Sequence, residues 1–166
     1  MIREFAVAVL LPAQGCSLAL DFSDPAIPRD AAPDAFVAPA ACGYKEPNDS
    51  VAAAAPVTAS DTGPAAICPG ATEDHDFYAV VVPAMTRLEI RLDYAFRPGA
   101  DLDLRLYDGE AMPPASRGFG NEEVIACPGA TPACPMLEAG TYVFEVFPAQ
   151  TGDTNTYTFA IELTPL

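Results

Sequence analysis

Arg87–Asp93 reads RLEIRLD, and Asp101–Asp108 reads DLDLRLYD. In the first stretch Leu88, Ile90 and Leu92 occupy alternate positions, with charged side chains between them. A period of two places all three on one face of an extended strand, whereas a helix would scatter them around its circumference. The second stretch repeats the pattern with Leu102, Leu104 and Leu106. Half-buried strands of this kind cannot bury their apolar faces alone and need a facing layer.

Outward from these two stretches the same period recurs. Thr141–Phe147 (TYVFEVF) directs Tyr142, Phe144 and Val146 one way, and Thr156–Leu163 (TYTFAIEL) aligns Tyr157, Phe159, Ile161 and Leu163. Asp76–Val82 (DFYAVVV) is apolar on both faces, which predicts a central strand. Ala65–Cys68 and Glu123–Ala126 are predicted as shorter strands. Turn-forming runs separate these segments: RPGA, YDGE, PPASRGFGN, EAG and TGDTN. The one helical candidate, Val51–Ala55, is too short to stand alone. The expected fold is all-β, an antiparallel β-sandwich of jelly-roll-like form over residues 42–166.

A chain of 166 residues holds one ordinary domain and a tail. Its formal net charge of −15 excludes nucleic acid and anionic lipid as electrostatic partners and suits hard cations. Residues 1–15 read as an export signal of lipoprotein type. Arg3 is its positive end, and Phe5–Leu11 (FAVAVLL) is an apolar run far below the ~20 residues that span a membrane. Ala13-Gln14-Gly15 then leads into Cys16, which resembles a bacterial lipobox with Ala13 where leucine is usual. Lipidation of Cys16 is therefore expected, which makes the chain an exported lipoprotein of the cell envelope, anchored to the membrane by lipid only; the alternative is an ordinary signal peptide and a secreted protein. Residues 16–41 are rich in Pro, Ala and Asp without periodicity, and are expected to be a disordered linker.

Four cysteines remain, and an even number in an exported chain predicts two disulfides with three possible connectivities. Cys127 and Cys134 bracket a turn-rich loop, PGATPA, which favours local pairing and leaves Cys42 with Cys68. Zinc is disfavoured, because there is no CxxC spacing and His75 is the only histidine.

The ordered blocks EPNDS, DHDFYAV, RLEIRL, DLDLRLYD, LEAGTYVFEV and YTFAIEL run from Glu46 to Leu163. Together they resemble the bacterial pre-peptidase C-terminal (PPC) domain, a small β-sandwich related to the collagen-binding domains of bacterial collagenases. The resemblance implies a non-catalytic module. It also implies calcium ligands at Glu46, Asn48, Asp49, Asp74 and Asp76, with Glu73 as a further candidate. Tyr44 stands where those relatives carry another acid. The family pattern further implies a structural hydrogen bond for Asp103.

The residues suit that ion. Calcium takes six to eight oxygen ligands, and Glu46, Asn48 and Asp49 offer oxygens from a segment that Pro47 stiffens. Clustered without a cation, these groups would repel one another. The plainer readings are that Asp49 or Ser50 caps the Val51–Ala55 turn, that Glu73 and Asp74 are solvated loop charges, and that His75 is exposed. Asp101 and Asp103 alternate with leucines and are expected to face solvent. No GxSxG or similar motif accompanies His75, so the chain is expected not to be an enzyme. It is expected to be a monomer that binds extracellular polysaccharide or protein through exposed aromatics, with Phe96, Tyr107, Phe119 and Phe147 as candidates. The alternative is an accessory envelope lipoprotein with no ligand beyond the cation.

Overall fold

The computed structural model describes residues 40–70, 73–107 and 114–166. The expected signal sequence, Cys16 and the expected linker as far as residue 39 lie outside the described residues. Ala41 is buried and opens a single 3-10 turn, Ala41–Gly43.

Eleven strands follow in the described residues: β1 (Ala55–Val57), β2 (Ala65–Ile67), β3 (Asp76–Val82), β4 (Thr86–Tyr94), β5 (Leu102–Tyr107), β6 (Ala115–Ser116), β7 (Glu122–Cys127), β8 (Gly129–Ala130), β9 (Ala133–Cys134), β10 (Gly140–Pro148) and β11 (Asn155–Pro165). One sheet has the order β1-β3-β10-β5-β6, the other β2-β11-β4-β7, and β8-β9 form a separate ribbon. The chain changes sheet between β3 and β4, between β4 and β5, and between β10 and β11. The two strands of each of these pairs lie in opposite sheets, and the result is a β-sandwich.

The alternation that predicted the strands also fills that core. Leu88, Ile90, Leu92, Leu102, Leu104 and Leu106 are all fully buried. At the centre the rings of Tyr78, Phe144 and Phe159 pack on one another with centroids 5.0–5.6 Å apart. Cys42 and Cys68 are disulfide-bonded with Cα atoms 5.8 Å apart, and Cys127 and Cys134 with Cα atoms 5.0 Å apart.

Two expectations need correction. The segment read as a helix splits: Val51–Ala53 forms a 3-10 turn, and Ala55–Val57 pairs parallel with β3. This is the one parallel pairing among the described strands. Ser50, at the N-cap position, makes no side-chain capping bond. Pro56 is tolerated because β1 is an edge strand. β3 is an inner strand, paired with β1 and β10, but it is not covered on both faces, since Val81 is 65% exposed.

The register brings the functional loops to one end. Val146 lies opposite Asp76, Pro148 opposite Leu102, Asn155 opposite Ile67 and Glu122 opposite Asp93. The loops around residues 46–49, 73–75, 95–101, 117–121 and 148–154 thus emerge together, while Cys127–Cys134 closes the opposite end of β7.

Candidate functional site

Asp76 is the first residue of β3 and continues inward the row formed by Tyr78, Val80 and Val82. It is a carboxylate at the mouth of the core, 1% exposed. Tyr157, on β11 of the other sheet, donates its phenolic hydrogen bond to Asp76 Oδ2 and lies 2.8 Å from the Tyr78 hydroxyl. Burial pushes the Asp76 carboxyl up to about 8. The Tyr157 hydrogen bond opposes the rise, and the charges of Asp74 and Glu46 add to it.

Glu46 and Asp74 meet Asp76 at this mouth. One carboxylate oxygen from each of the three residues lies within 4.8 Å of the others. Burial raises the carboxyls of Glu46 and Asp74 as well, with Asp49 contributing repulsion to both. Each is also held in place: Glu46 Oε2 accepts the Asn48 N–H at 2.9 Å, and Asp74 Oδ2 accepts the Cys68 N–H at 2.6 Å. The Cys42–Cys68 disulfide ties the segment leading into Glu46 to the segment leading into Asp74.

Asn48 is fully buried beside these carboxylates, and its carbonyl accepts the Phe77 N–H at 2.9 Å. With its amide nitrogen turned toward them, it donates to Glu46 Oε2 at 2.7 Å and to Asp76 Oδ1 at 3.2 Å. Turned the other way, it presents an oxygen to the same point. Asp49 is exposed and lines, with Glu46, Glu73 and Asp74, an open cavity of about 320 Å³ above the cluster. Of the expected ligands, Glu46, Asn48, Asp74 and Asp76 converge, while Asp49 and Glu73 stand at the rim. Tyr44 packs edge-on against Phe159 at 6.4 Å and serves the core. Three carboxylates and an amide, without a thiol or imidazole among them, fit a hard oxygen-seeking cation.

The outer face of the larger sheet carries residues that the sequence reading missed. Glu145 on β10 is 2% exposed and lies between Phe77 and Arg105 in the register. It accepts from Arg105 Nη1 at 2.9 Å and from the Tyr107 hydroxyl at 2.8 Å, and its Oε1 is 2.6 Å from His75 Nδ1. His75 is therefore engaged rather than free in solvent, and its ring stacks at 6.1 Å from that of Phe147. Glu145 alternates with apolar residues and reads as solvent-facing. No local sequence signal shows that rings and an arginine cover it.

The four aromatic candidates separate. Phe119 is 89% exposed and Phe96 40% exposed. Tyr107 is committed to Glu145, and Phe147 is only 7% exposed beneath Arg105 and Arg117, at 4.4 and 5.3 Å from its ring. Phe147 is thus not a surface residue, because the two guanidinium groups cover it. Asp101 and Asp103 are buried as well, contrary to expectation. Asp101 Oδ1 accepts from the Tyr94 hydroxyl at 2.8 Å, and Asp103 Oδ2 lies 3.9 Å from Arg117 Nε.

The sequence matches no protein-family model and no curated protein. The sandwich is similar to several solved structures. It is similar to the pre-peptidase C-terminal domain of a collagenase from Bacillus anthracis, 14% identical, with a TM-score of 0.49 over 64% of this chain and 92% of that one. It is also similar to PliG of Aeromonas hydrophila, a periplasmic inhibitor of g-type lysozyme, 15% identical, with a TM-score of 0.39 over 66% of this chain and 94% of that one.

Proposed function

We propose that the chain is a non-catalytic, calcium-stabilised module, exported and held at the cell envelope by a lipid on Cys16, that binds extracellular polysaccharide or protein. The observation that carries the calcium reading is the meeting of Glu46, Asp74 and Asp76 around a buried Asn48 amide. These residues would hold the ion, which would supply positive charge to a place where burial disfavours three carboxylates. The ion would join the segment before β1 to the start of β3. A structural role is in keeping with the position of Asp76 at the mouth of the core rather than in a substrate cleft. His75 supports a non-catalytic reading, because its Nδ1 and Nε2 face Glu145 at 2.6 Å and Glu73 at 3.6 Å. The accessory alternative draws support from Phe147 and Tyr107, both engaged within the protein.

Extracellular calcium modules bind at roughly 10⁻⁴ to 10⁻³ M, and a concentration ten times the Kd adds about 1.4 kcal/mol of stability. Thermal melts in millimolar calcium should therefore lie several degrees above melts in chelator. Asp74→Asn should abolish the difference. Identical melts would return the cluster to ordinary loop charges. For the anchor, Cys16→Ser should move the protein from the membrane fraction to the soluble one, and an unchanged distribution would remove the lipid from the reading.

A further inference from the structure

A strand at the edge of a sheet offers unpaired N–H and C=O groups to any extended chain, and proteins usually blunt such edges. Three of the sandwich edges are blunted here. β1 is three residues long and contains Pro56, whose carbonyl is taken by Lys45 Nζ at 3.1 Å. β6 has two residues, and β7 donates its Val124 N–H to the Ser116 hydroxyl at 3.3 Å. The fourth edge differs. β2 pairs with β11 only at Asn155, Thr156 and Tyr157, and the Phe159 N–H beyond them is taken by the Thr62 carbonyl at 3.2 Å. From Ala160 to Thr164 the strand pairs with β4 alone. Because Phe159 directs its N–H to the β2 side, alternation sends the N–H and C=O of Ile161 and of Leu163 the same way. Among the described residues neither has a backbone partner on that side.

The side chains along this stretch decide what fits it. Ile161 and Leu163 face the core, yet Leu163 is only half-buried although Leu88, opposite it on β4, is fully buried. Glu162, between them, is exposed on the outer face and lies directly opposite Glu89. Like charges so placed destabilise a sheet. Arg87 and Arg91 bridge Glu89 at 2.8 and 3.5 Å, and Arg91 also bridges Glu122. None of the described ion pairs includes Glu162. The edge therefore combines free backbone groups, a half-covered leucine and a carboxylate that faces another carboxylate.

We infer that this edge of β11 takes an extended segment of a partner protein by antiparallel strand addition, with Lys or Arg opposite Glu162 and apolar residues opposite Ile161 and Leu163. The added backbone would exchange N–H···O bonds with Ile161 and Leu163, and its side chains on the core side would cover Leu163. Its cation would meet Glu162 and offset the repulsion from Glu89. A second copy of the chain does not fit. Antiparallel self-pairing of Ile161 with Leu163 sets Glu162 against Glu162, in a chain of net charge −15. The inference rests on the protein half of the function proposed above and names the class of partner.

The test is nitrogen-15 NMR of the full chain in calcium, titrated with the end-capped peptide Thr-Val-Lys-Val-Thr, with Thr-Val-Glu-Val-Thr, and with the lysine peptide N-methylated at both valines. The expected result is that the lysine peptide shifts the Ile161 and Leu163 amide signals and binds about fivefold more tightly than the glutamate peptide. N-methylation should abolish binding. Glu162→Lys places a cation opposite Glu89, so it should keep the melting temperature or raise it, and it should reverse the order of the two peptides. A lysine preference that survives Glu162→Lys would be the pull of net charge and would overturn the inference. Absence of shifts at Ile161 and Leu163 would overturn it too. Shifts of these two amides with protein concentration alone would give the edge to a second copy and overturn the partner. The calcium melts judge the stabilised module separately in every case.

Discussion

The phenol of Tyr157 donates a hydrogen bond to Asp76 Oδ2, where the last strand passes the first residue of β3. One bond thus couples the two sheets to the candidate cation cluster. Its loss in Tyr157→Phe should matter most when Asp76 is ionised, because the bond favours the charged form. The variant should lose about 1–3 kcal/mol, more at pH 8 than at pH 5, and should need more calcium for the same melting temperature. Urea unfolding at the two pH values measures this. An equal loss at both would separate the bond from the carboxylate's charge.

The raised Asp76 carboxyl gives stability a pH dependence of definite sign. Its folded value of about 8 exceeds its ordinary 3.8, so the fold binds this proton more tightly than the unfolded chain does. The stability from that proton is full below about pH 4 and is lost as pH rises toward 8. Glu46 and Asp74 shift in the same direction. In chelator, melting temperature should fall from pH 5 to pH 8, by an amount on the order of a few kcal/mol in stability. In millimolar calcium the ion replaces the proton, and the fall should shrink. A flat profile in chelator would contradict the burial that drives the shift.

The two disulfides should differ in what they affect. Cys42–Cys68 closes a separation of 26 residues beside Glu46 and Asp74, and Cys127–Cys134 one of 7 residues at the far end of β7. Loop entropy assigns them about 3.5 and about 2.4 kcal/mol. Paired alanine substitutions should show both losses in urea melts. Only the first pair should also weaken calcium binding measured by titration calorimetry. Equal calcium affinity in both variants would show that the cluster does not depend on the Cys42–Cys68 tie.

Much of this arrangement was legible in the chain. The leucines of RLEIRLD and DLDLRLYD alternate strictly, and burial on one face follows directly from a period of two. The turn between Cys127 and Cys134 favoured their pairing. β1 was not legible, because Ala-Pro-Val is too short for any period and its pairing with β3 is long-range. The convergence of Glu46, Asn48, Asp74 and Asp76 was suggested by family resemblance rather than by spacing. Burial of Phe147, Asp103 and Glu145 was hidden for another reason. A sheet face reads as solvent-exposed until Arg105, Arg117 and Tyr107, placed by cross-strand register and loops, are seen to lie over it.

Glu145 offers the sharpest test of that covered face. It is 2% exposed, while its partner Arg105 keeps a side chain 24% exposed. Removing a buried charge's partner usually costs more than the pair itself contributes, because the remaining charge is left unpaired. Glu145→Ala strands Arg105 and removes the acceptor for Tyr107 and the neighbour of His75 Nδ1. It should lose about 2–4 kcal/mol in urea unfolding, with partial exposure of Arg105 keeping it toward the lower end. Replacing both partners, as in Glu145→Leu with Arg105→Met, should recover at least half of that loss. The paired apolar side chains would pack on Phe77 and Phe147 without a charge left over. If the double variant is as unstable as Glu145→Ala alone, the network stabilises the sheet through its hydrogen bonds to His75 and Tyr107, and the ion pair with Arg105 is secondary.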